Sequence, residues 1–257
     1  MKFYYGTTYY SHINPLDEIE SNLVYMKSIG FNVVRTAEIF PGWENLERIE
    51  GKFEFRLLDD FVEKCERVGL ELIMGLGVNA PPPWLFEKYP DARSIDMYGR
   101  KSNRRVHSAC IDHHGFREEA SRFIKELVNR YKEVEHIIGW QFANEVRYGV
   151  RCVCTSTSNR FREWLIRKYG TIDALNDAWF TNYSAWSQVY AYCSYDGPPT
   201  YGIQSMWMDY RKFLSWSLAE FIEWGRDIIK EISTKPVVHN NNGLSGQGYQ
   251  DQWTIGE

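Results

Sequence analysis

The sequence predicts an α/β protein with a parallel sheet, either doubly wound or a (β/α)8 barrel, and the barrel is favoured. Three observations carry that expectation. Short apolar strands alternate with amphipathic helices from the first residues onward, the pattern of a parallel sheet with crossover helices. The third and fourth strands are apolar almost throughout, as strands covered on both faces should be. The long loops follow strands rather than precede them, which is where barrels gather their function. No GxGxxG or phosphate-loop pattern follows the first strand, so the nucleotide-binding folds are disfavoured.

The elements follow in order. Residues 2–9 alternate aromatic and small side chains and read as the first strand. Asn14-Pro15 is expected to open a helix, with Asn14 as N-cap, Pro15 in the first turn, and Asp17 and Glu18 complementing the dipole. Ile19, Leu23 and Met26 then share one face and Gly30 ends the helix. Residues 31–34 form a second strand closing on Arg35. A loop through Pro41-Gly42-Trp43 leads to a helix over 56–68, with Leu57, Leu58, Phe61, Val62, Cys65 and Val68 inward.

Residues 70–76 form the third strand, and a long loop over 77–113 carries Pro81-Pro82-Pro83-Trp84. A helix over 115–132 precedes the fourth strand, Ile137-Ile138-Gly139-Trp140-Gln141-Phe142-Ala143-Asn144-Glu145. Beyond it the pattern changes. An insertion over about 146–210 carries Cys152, Cys154 and many aromatic residues. A long helix over about 208–232 follows, and Pro236-Val237-Val238-His239-Asn240 reads as the fifth strand. Trp253-Thr254-Ile255 is the candidate start of a sixth. A whole barrel has eight strands, so the 257 residues are expected to be the N-terminal portion of one, ending after strand five or six.

Composition narrows the function. The chain is 44% hydrophobic with a net charge of -4, and no basic stripe interleaves with aromatic residues, so nucleic acid is not expected as a partner. The apolar runs fall well short of the roughly 20 residues that span a bilayer, so no membrane segment is expected. The N-terminus lacks the pattern of a secretory leader. Five cysteines make an odd number, not spaced as in a small disulfide framework, which fits a reducing cytoplasm. Aromatic residues make up 16% of the chain, including 10 Trp and 17 Tyr. Their flat apolar faces with a polar edge suit the C–H faces of sugar rings as well as a large core.

The fourth strand carries the chemistry. It is apolar until it ends abruptly in Asn144-Glu145. A carboxyl at the mouth of such a strand sits beside low-dielectric protein, the setting that suits a general acid. The neutral amide of Asn144 can hydrogen-bond a sugar hydroxyl without disturbing it. The alternative is a strand end with two polar residues turning into a loop.

These segments together resemble the family 42 glycoside hydrolases, the β-galactosidases. The resemblance runs along nearly the whole chain. It comprises Phe3-Tyr4-Tyr5-Gly6 with Tyr9-Tyr10, the run from Met26 to Arg35, and Glu50-Gly51-Lys52-Phe53-Glu54-Phe55. It continues through Ala80-Pro81-Pro82-Pro83-Trp84-Leu85, Trp140-Gln141 and Asn144-Glu145. Phe161-Arg162-Glu163-Trp164-Leu165 and the run from Tyr169 to Asn176 extend it. Each motif is soft, but their order and spacing are specific.

The resemblance implies a retaining hydrolase of terminal β-D-galactosyl residues. Glu145 takes the place of the general acid/base, and the nucleophile is a second Glu on strand seven, expected beyond residue 257. Retaining enzymes hold the two carboxyl groups about 5 to 5.5 Å apart. Arg35 takes the place of an Arg that faces the nucleophile. Arg105 is the first choice, and His107 the second, for a contact to the galactosyl hydroxyls. Trp186 resembles an aromatic wall of the sugar subsite, with core packing as its alternative, and Trp84 reads as loop packing first. Cys110, Cys152 and Cys154 resemble three of four ligands of a structural zinc site. Thr157 stands where the fourth cysteine is expected, and His107, His113 or His114 are the candidate replacements. No cofactor is expected for catalysis. A homotrimer is implied by the family. The competing expectations are a related exo-glycosidase acting on an arabinopyranoside or fucoside, and a non-catalytic carbohydrate-binding remnant of a barrel.

Overall fold

The computed structural model describes residues 2–145, 152–191 and 204–240. Five strands form one wholly parallel sheet in chain order: β1 (Gly6–Thr8), β2 (Val33–Thr36), β3 (Glu71–Gly75), β4 (Ile137–Asn144) and β5 (Val237–Asn240). Strands that neighbour one another in sequence neighbour one another in space, as in the first five units of a (β/α)8 barrel. Trp253-Thr254-Ile255, the candidate sixth strand, lies outside the described residues.

Helices return the chain between strands. The crossover from β1 to β2 uses α1 (Ile19–Ser28), which buries Ile19 and Leu23. This helix begins later than Asn14-Pro15 promises. Residues Ser11–Ile13 form a 3-10 turn, and the Asn14 amide turns back to donate to the Tyr10 carbonyl at 2.7 Å rather than capping forward. A short helix α2 (Trp43–Leu46) lies in the loop after β2, and α3 (Arg56–Val68) follows it. Leu58, Phe61, Val62 and Cys65 recur at helical spacing and are buried. Gly69 stops α3 in the left-handed region at φ 75°, a conformation only glycine adopts freely. The Cys65 thiol lies in this core, and burial pushes it up to about 12.

The loop after β3 contains α4 (Pro83–Lys88), started by Pro83 at its first turn. Trp84 there packs edge-on against Trp43 and donates to the Glu47 carbonyl at 2.9 Å, the loop-packing role. Trp43 in turn stacks on Phe123 of α5 (His114–Tyr131) at 5.3 Å. The imidazole of His113 caps α5 by accepting from the Phe116 amide at 3.2 Å. Seven of the eight residues of β4 are buried, in line with its apolar sequence.

After β4 come α6 (Thr155–Tyr169), α7 (Ile172–Trp179) and α8 (Gln204–Lys230). They close around Phe161, Trp179 and Phe213, with Asp209 buried beneath. Asp209 accepts from Tyr169 at 2.5 Å and from the Trp179 indole at 3.0 Å, and pairs with Lys168. Three donors on one buried carboxylate satisfy it, which removes the penalty of an unpaired buried charge. Where α8 crosses β4, Gly225 lets the ring of Phe142 lie directly against the helix. A β-carbon there would sit 2.1 Å from the Phe142 ring. Among the described residues no helix is long and apolar enough to cross a membrane.

Candidate active site

Parallel strands deliver their C-terminal ends to one edge, and the polar residues of the site sit on that edge. At β1 and β2, Arg35 donates from Nε to the Thr8 hydroxyl at 3.1 Å and pairs with Glu38 at 3.3 Å. Glu38 is 1% exposed and also accepts from the Tyr10 hydroxyl at 2.9 Å. Burial and the charge of Glu38 push the Tyr10 phenol up to about 12, with Glu145 adding in the same direction. Tyr10, Glu38 and Glu145 therefore share one neighbourhood although they follow three different strands.

At β3, β4 and β5 the amides take over. The Asn79 side chain donates to the Asn144 carbonyl. Asn240 ends β5 and holds three groups of β4 and its exit. Its Oδ1 accepts from Gln141 at 2.7 Å and from the Glu145 backbone amide at 3.2 Å. Its Nδ2 donates to Asn144 Oδ1 at 2.8 Å. Glu145 is half-buried and turns the chain at φ 45°. Non-glycine residues rarely adopt this conformation, and such residues cluster where structure serves a site. Ala37 at φ 63° and His107 at φ 55° do the same after β2 and beside Asn79.

The other sequence candidates are placed around this rim. The Arg105 guanidinium pairs with Glu44 and lies over the Phe40 ring at 4.2 Å, on the loops after β2 and β3. His107 donates its backbone amide to the Asn79 carbonyl at 2.7 Å, which ties it to the residue that braces Asn144. Trp186 sits in a 3-10 turn (Trp186–Gln188), half-buried against the main core. Glu38 and Asn79 were not singled out from sequence, and Tyr10 was noted only within the opening motif. Their signal was present: a polar residue within a few positions of each strand end.

The three cysteines converge. The sulfurs of Cys110, Cys152 and Cys154 lie within 4.8 Å of one another, and Cys154 Sγ is 3.5 Å from Cys110 Sγ. Two loops bring them together. Val153 donates to the Ile95 carbonyl at 2.8 Å, and Cys110 donates to that of Ala92, also at 2.8 Å. Hydrogen bonds from the Cys110 and Cys152 thiols lower Cys154, so its thiolate is the favoured one. Sulfurs sharing a tetrahedral ion at about 2.3 Å lie about 3.8 Å apart, so the trio fits three vertices of a zinc site. Thr157, 1% exposed, stands beside them with its hydroxyl 3.2 Å from Cys110 Sγ. His113 and His114 are placed away from the sulfurs. His113 caps α5 and faces Asp91 at 3.2 Å, and the His114 side chain is 93% exposed. One cavity is lined by Asn79 and His107 of the rim and by Cys110 and Cys152 of the thiol cluster.

The profile of the family described as "Beta-galactosidase" matches residues 8–255. The chain belongs to family 42 of the glycoside hydrolases. The β-galactosidase BgaA of Clostridium cellulovorans is 33% identical over 247 residues, covering 94% of this chain and 37% of that protein. The β-galactosidase LacZ of Lactobacillus acidophilus is 32% identical over 272 aligned positions, covering 100% of this chain and 40% of that protein. Among solved structures, the β-galactosidase of the Antarctic haloarchaeon Halorubrum lacusprofundi superimposes with a TM-score of 0.88 at 27% identity, over 99% of this chain and 38% of its own. The family 42 chain thus spans 37% and 40% of the length of these two relatives. The five parallel strands are the corresponding part of a (β/α)8 barrel, as the sequence pattern led one to expect.

Proposed function

We propose that the protein carrying this chain is a retaining β-galactosidase with Glu145 as its general acid/base. The observation that carries the reading is the braced end of β4. Asn240 fixes both the Asn144 amide and the Glu145 backbone, so a carboxyl and a neutral amide are presented side by side. Asn144 lends its amide to a sugar hydroxyl, and Glu145 delivers a proton to the leaving oxygen. The nucleophile is a second carboxylate on a strand after β5, outside the described residues. The Arg35 guanidinium, braced by Thr8 and Glu38, supplies a positive charge that keeps that carboxylate ionised. Arg105, His107 and Trp186 are read as sugar contacts. Catalysis needs no cofactor.

Structural zinc at Cys110, Cys152 and Cys154, assembly as a homotrimer and a cytoplasmic location complete the proposal. The described cysteines Cys65, Cys110, Cys152 and Cys154 are free thiols, which supports a reducing compartment.

The test uses the full-length enzyme. Glu145→Ala should lower hydrolysis of lactose-like substrates by about 10²–10⁴-fold, the usual contribution of general acid catalysis. Aryl galactosides with good leaving groups should keep more of their first step, because those need little protonation. Unchanged rates on poor leaving groups would refute the acid role. Preference for arabinopyranosides or fucosides would move the substrate assignment, and inactivity of the wild-type protein on all three would favour a binding remnant.

A further inference from the structure

The thiol cluster departs from a four-sulfur zinc site at one vertex, and the structure shows what stands there. Thr157 Oγ1 lies 3.2 Å from Cys110 Sγ and 3.7 Å from Cys154 Sγ. In a tetrahedron with metal–sulfur bonds of about 2.3 Å and metal–oxygen bonds of about 2.1 Å, the sulfur–oxygen edge is about 3.5 Å. The hydroxyl therefore sits at the distance of a fourth ligand from two of the three sulfurs, those of Cys110 and Cys154. Its orientation is also set. The buried Asp112 carboxylate accepts from Thr157 at 3.0 Å. With its hydrogen directed at Asp112, the Thr157 oxygen turns its lone pairs toward the sulfurs. Asp112 is itself held by Ser217 at 2.8 Å and faces Arg160 at 3.4 Å. Arg160 leads on to Glu220 at 3.0 Å, which Arg117 grips with two bonds. The arrangement spans α5, α6 and α8 and fixes one oxygen beside the sulfurs of Cys110 and Cys154.

We infer that Cys110, Cys152, Cys154 and the Thr157 hydroxyl form a three-sulfur, one-oxygen site for a thiophilic divalent cation, with Asp112 as the positioning residue for the oxygen. This inference rests on the metal-site reading above and is independent of the hydrolase reading. A neutral hydroxyl is a weaker ligand than a thiolate. The fourth position therefore opens readily, and the ion exchanges rather than staying locked as in a closed four-thiolate site. Soft ions such as Cd²⁺, satisfied mainly by the three thiolates, should displace zinc from it.

Cobalt(II) is the probe, added alone to reduced, metal-free protein and followed by absorption and by chelator competition. The wild-type chain should show intense sulfur-to-cobalt absorption and visible bands of a tetrahedral site with mixed ligands. Thr157→Cys should move the visible bands toward a four-sulfur site and slow release to EDTA by at least about tenfold. Thr157→Val, close to threonine in shape, should keep the sulfur absorption, alter the visible bands and weaken binding by about 10–100-fold. Asp112→Asn should weaken binding with the three-sulfur absorption intact. Wild-type protein without sulfur-to-cobalt absorption would overturn the metal reading and this inference with it. Sulfur absorption with visible bands and affinity unchanged in Thr157→Val would overturn the oxygen assignment alone. Circular dichroism of the metal-free variants separates either result from misfolding.

Discussion

Asn240 and Asn144 are bonded side chain to side chain at 2.8 Å, across the ends of two adjacent parallel strands. The bond makes the end of β4 depend on β5. Asn240→Ala removes this contact together with those to Gln141 and the Glu145 amide. Leaving such buried groups without partners typically costs about 1–3 kcal/mol. Denaturant unfolding of the variant should show a loss of that size, and the full-length enzyme should lose kcat more than it gains KM. A variant as stable and as active as wild type would show that the brace is idle.

Gly225 and Phe142 give a second prediction. A methyl group at 225 would collide with the Phe142 ring at 2.1 Å. Gly225→Ala should destabilise the chain by about 1–3 kcal/mol despite the better helix propensity of alanine. Adding Phe142→Leu should recover part of the loss, because the two sites are coupled. Additive losses in the double variant would mean that the collision is relieved elsewhere.

Glu220 is the hub between α5, α6 and α8. Arg117 bonds it at 2.8 and 2.7 Å, and the Arg117 side chain is only 12% exposed. The neighbouring guanidinium groups outweigh burial and hold the Glu220 carboxyl below the usual range. Glu220→Gln should cost about 2 kcal/mol, the scale of a hydrogen bond to a charged partner left unmade. Because a lowered carboxyl stabilises above its unfolded value, this contribution should be present at neutral pH. It should fade as the solution is acidified through the carboxylate range. A Glu220→Gln deficit that is equal at pH 7 and pH 3 would contradict that assignment.

His12 should be felt at milder acidity. Its ring lies tilted against that of Phe40 at 4.5 Å, and among the described residues neither ring nitrogen has a hydrogen-bond partner. Burial, with Arg105 nearby, lowers its pKa. The folded state then binds a proton less readily than the unfolded chain, whose histidines titrate near about 6.5. Stability is therefore full above that value and declines as pH falls below it. Burial lowers His239 in the same direction. His12→Phe should flatten the decline between pH 7.5 and 5.5, measured as the shift in denaturation midpoint. An unchanged slope would assign the effect to His239 or to other groups.

Much of this architecture was legible in the sequence because strand and helix periods differ and β4 is apolar over most of its length. The positions of Arg35, Asn144, Glu145 and Asn240 on one edge follow from parallel strands alone. Local capping was less legible. Asn14-Pro15 carries every sign of a helix start, yet the chain makes a 3-10 turn there, which seats His12 against Phe40. Glu38 was hidden for a different reason. Its role depends on Tyr10 and Arg35 arriving from two strands, a relationship that spacing along the chain does not encode. The meeting of Thr157 and Asp112 with the thiols is likewise tertiary, since 45 positions separate the two in sequence.

On the role proposed for Glu145, its left-handed turn sets stability and activity against each other at a single residue. An L side chain in that region carries a penalty of roughly 1–2 kcal/mol, and glycine would not. Replacing Glu145 by glycine should thus raise the melting temperature while removing the carboxyl. Any laboratory selection of this chain for thermal robustness alone would drift toward losing the acid. Only a simultaneous demand for turnover would hold the glutamate in place.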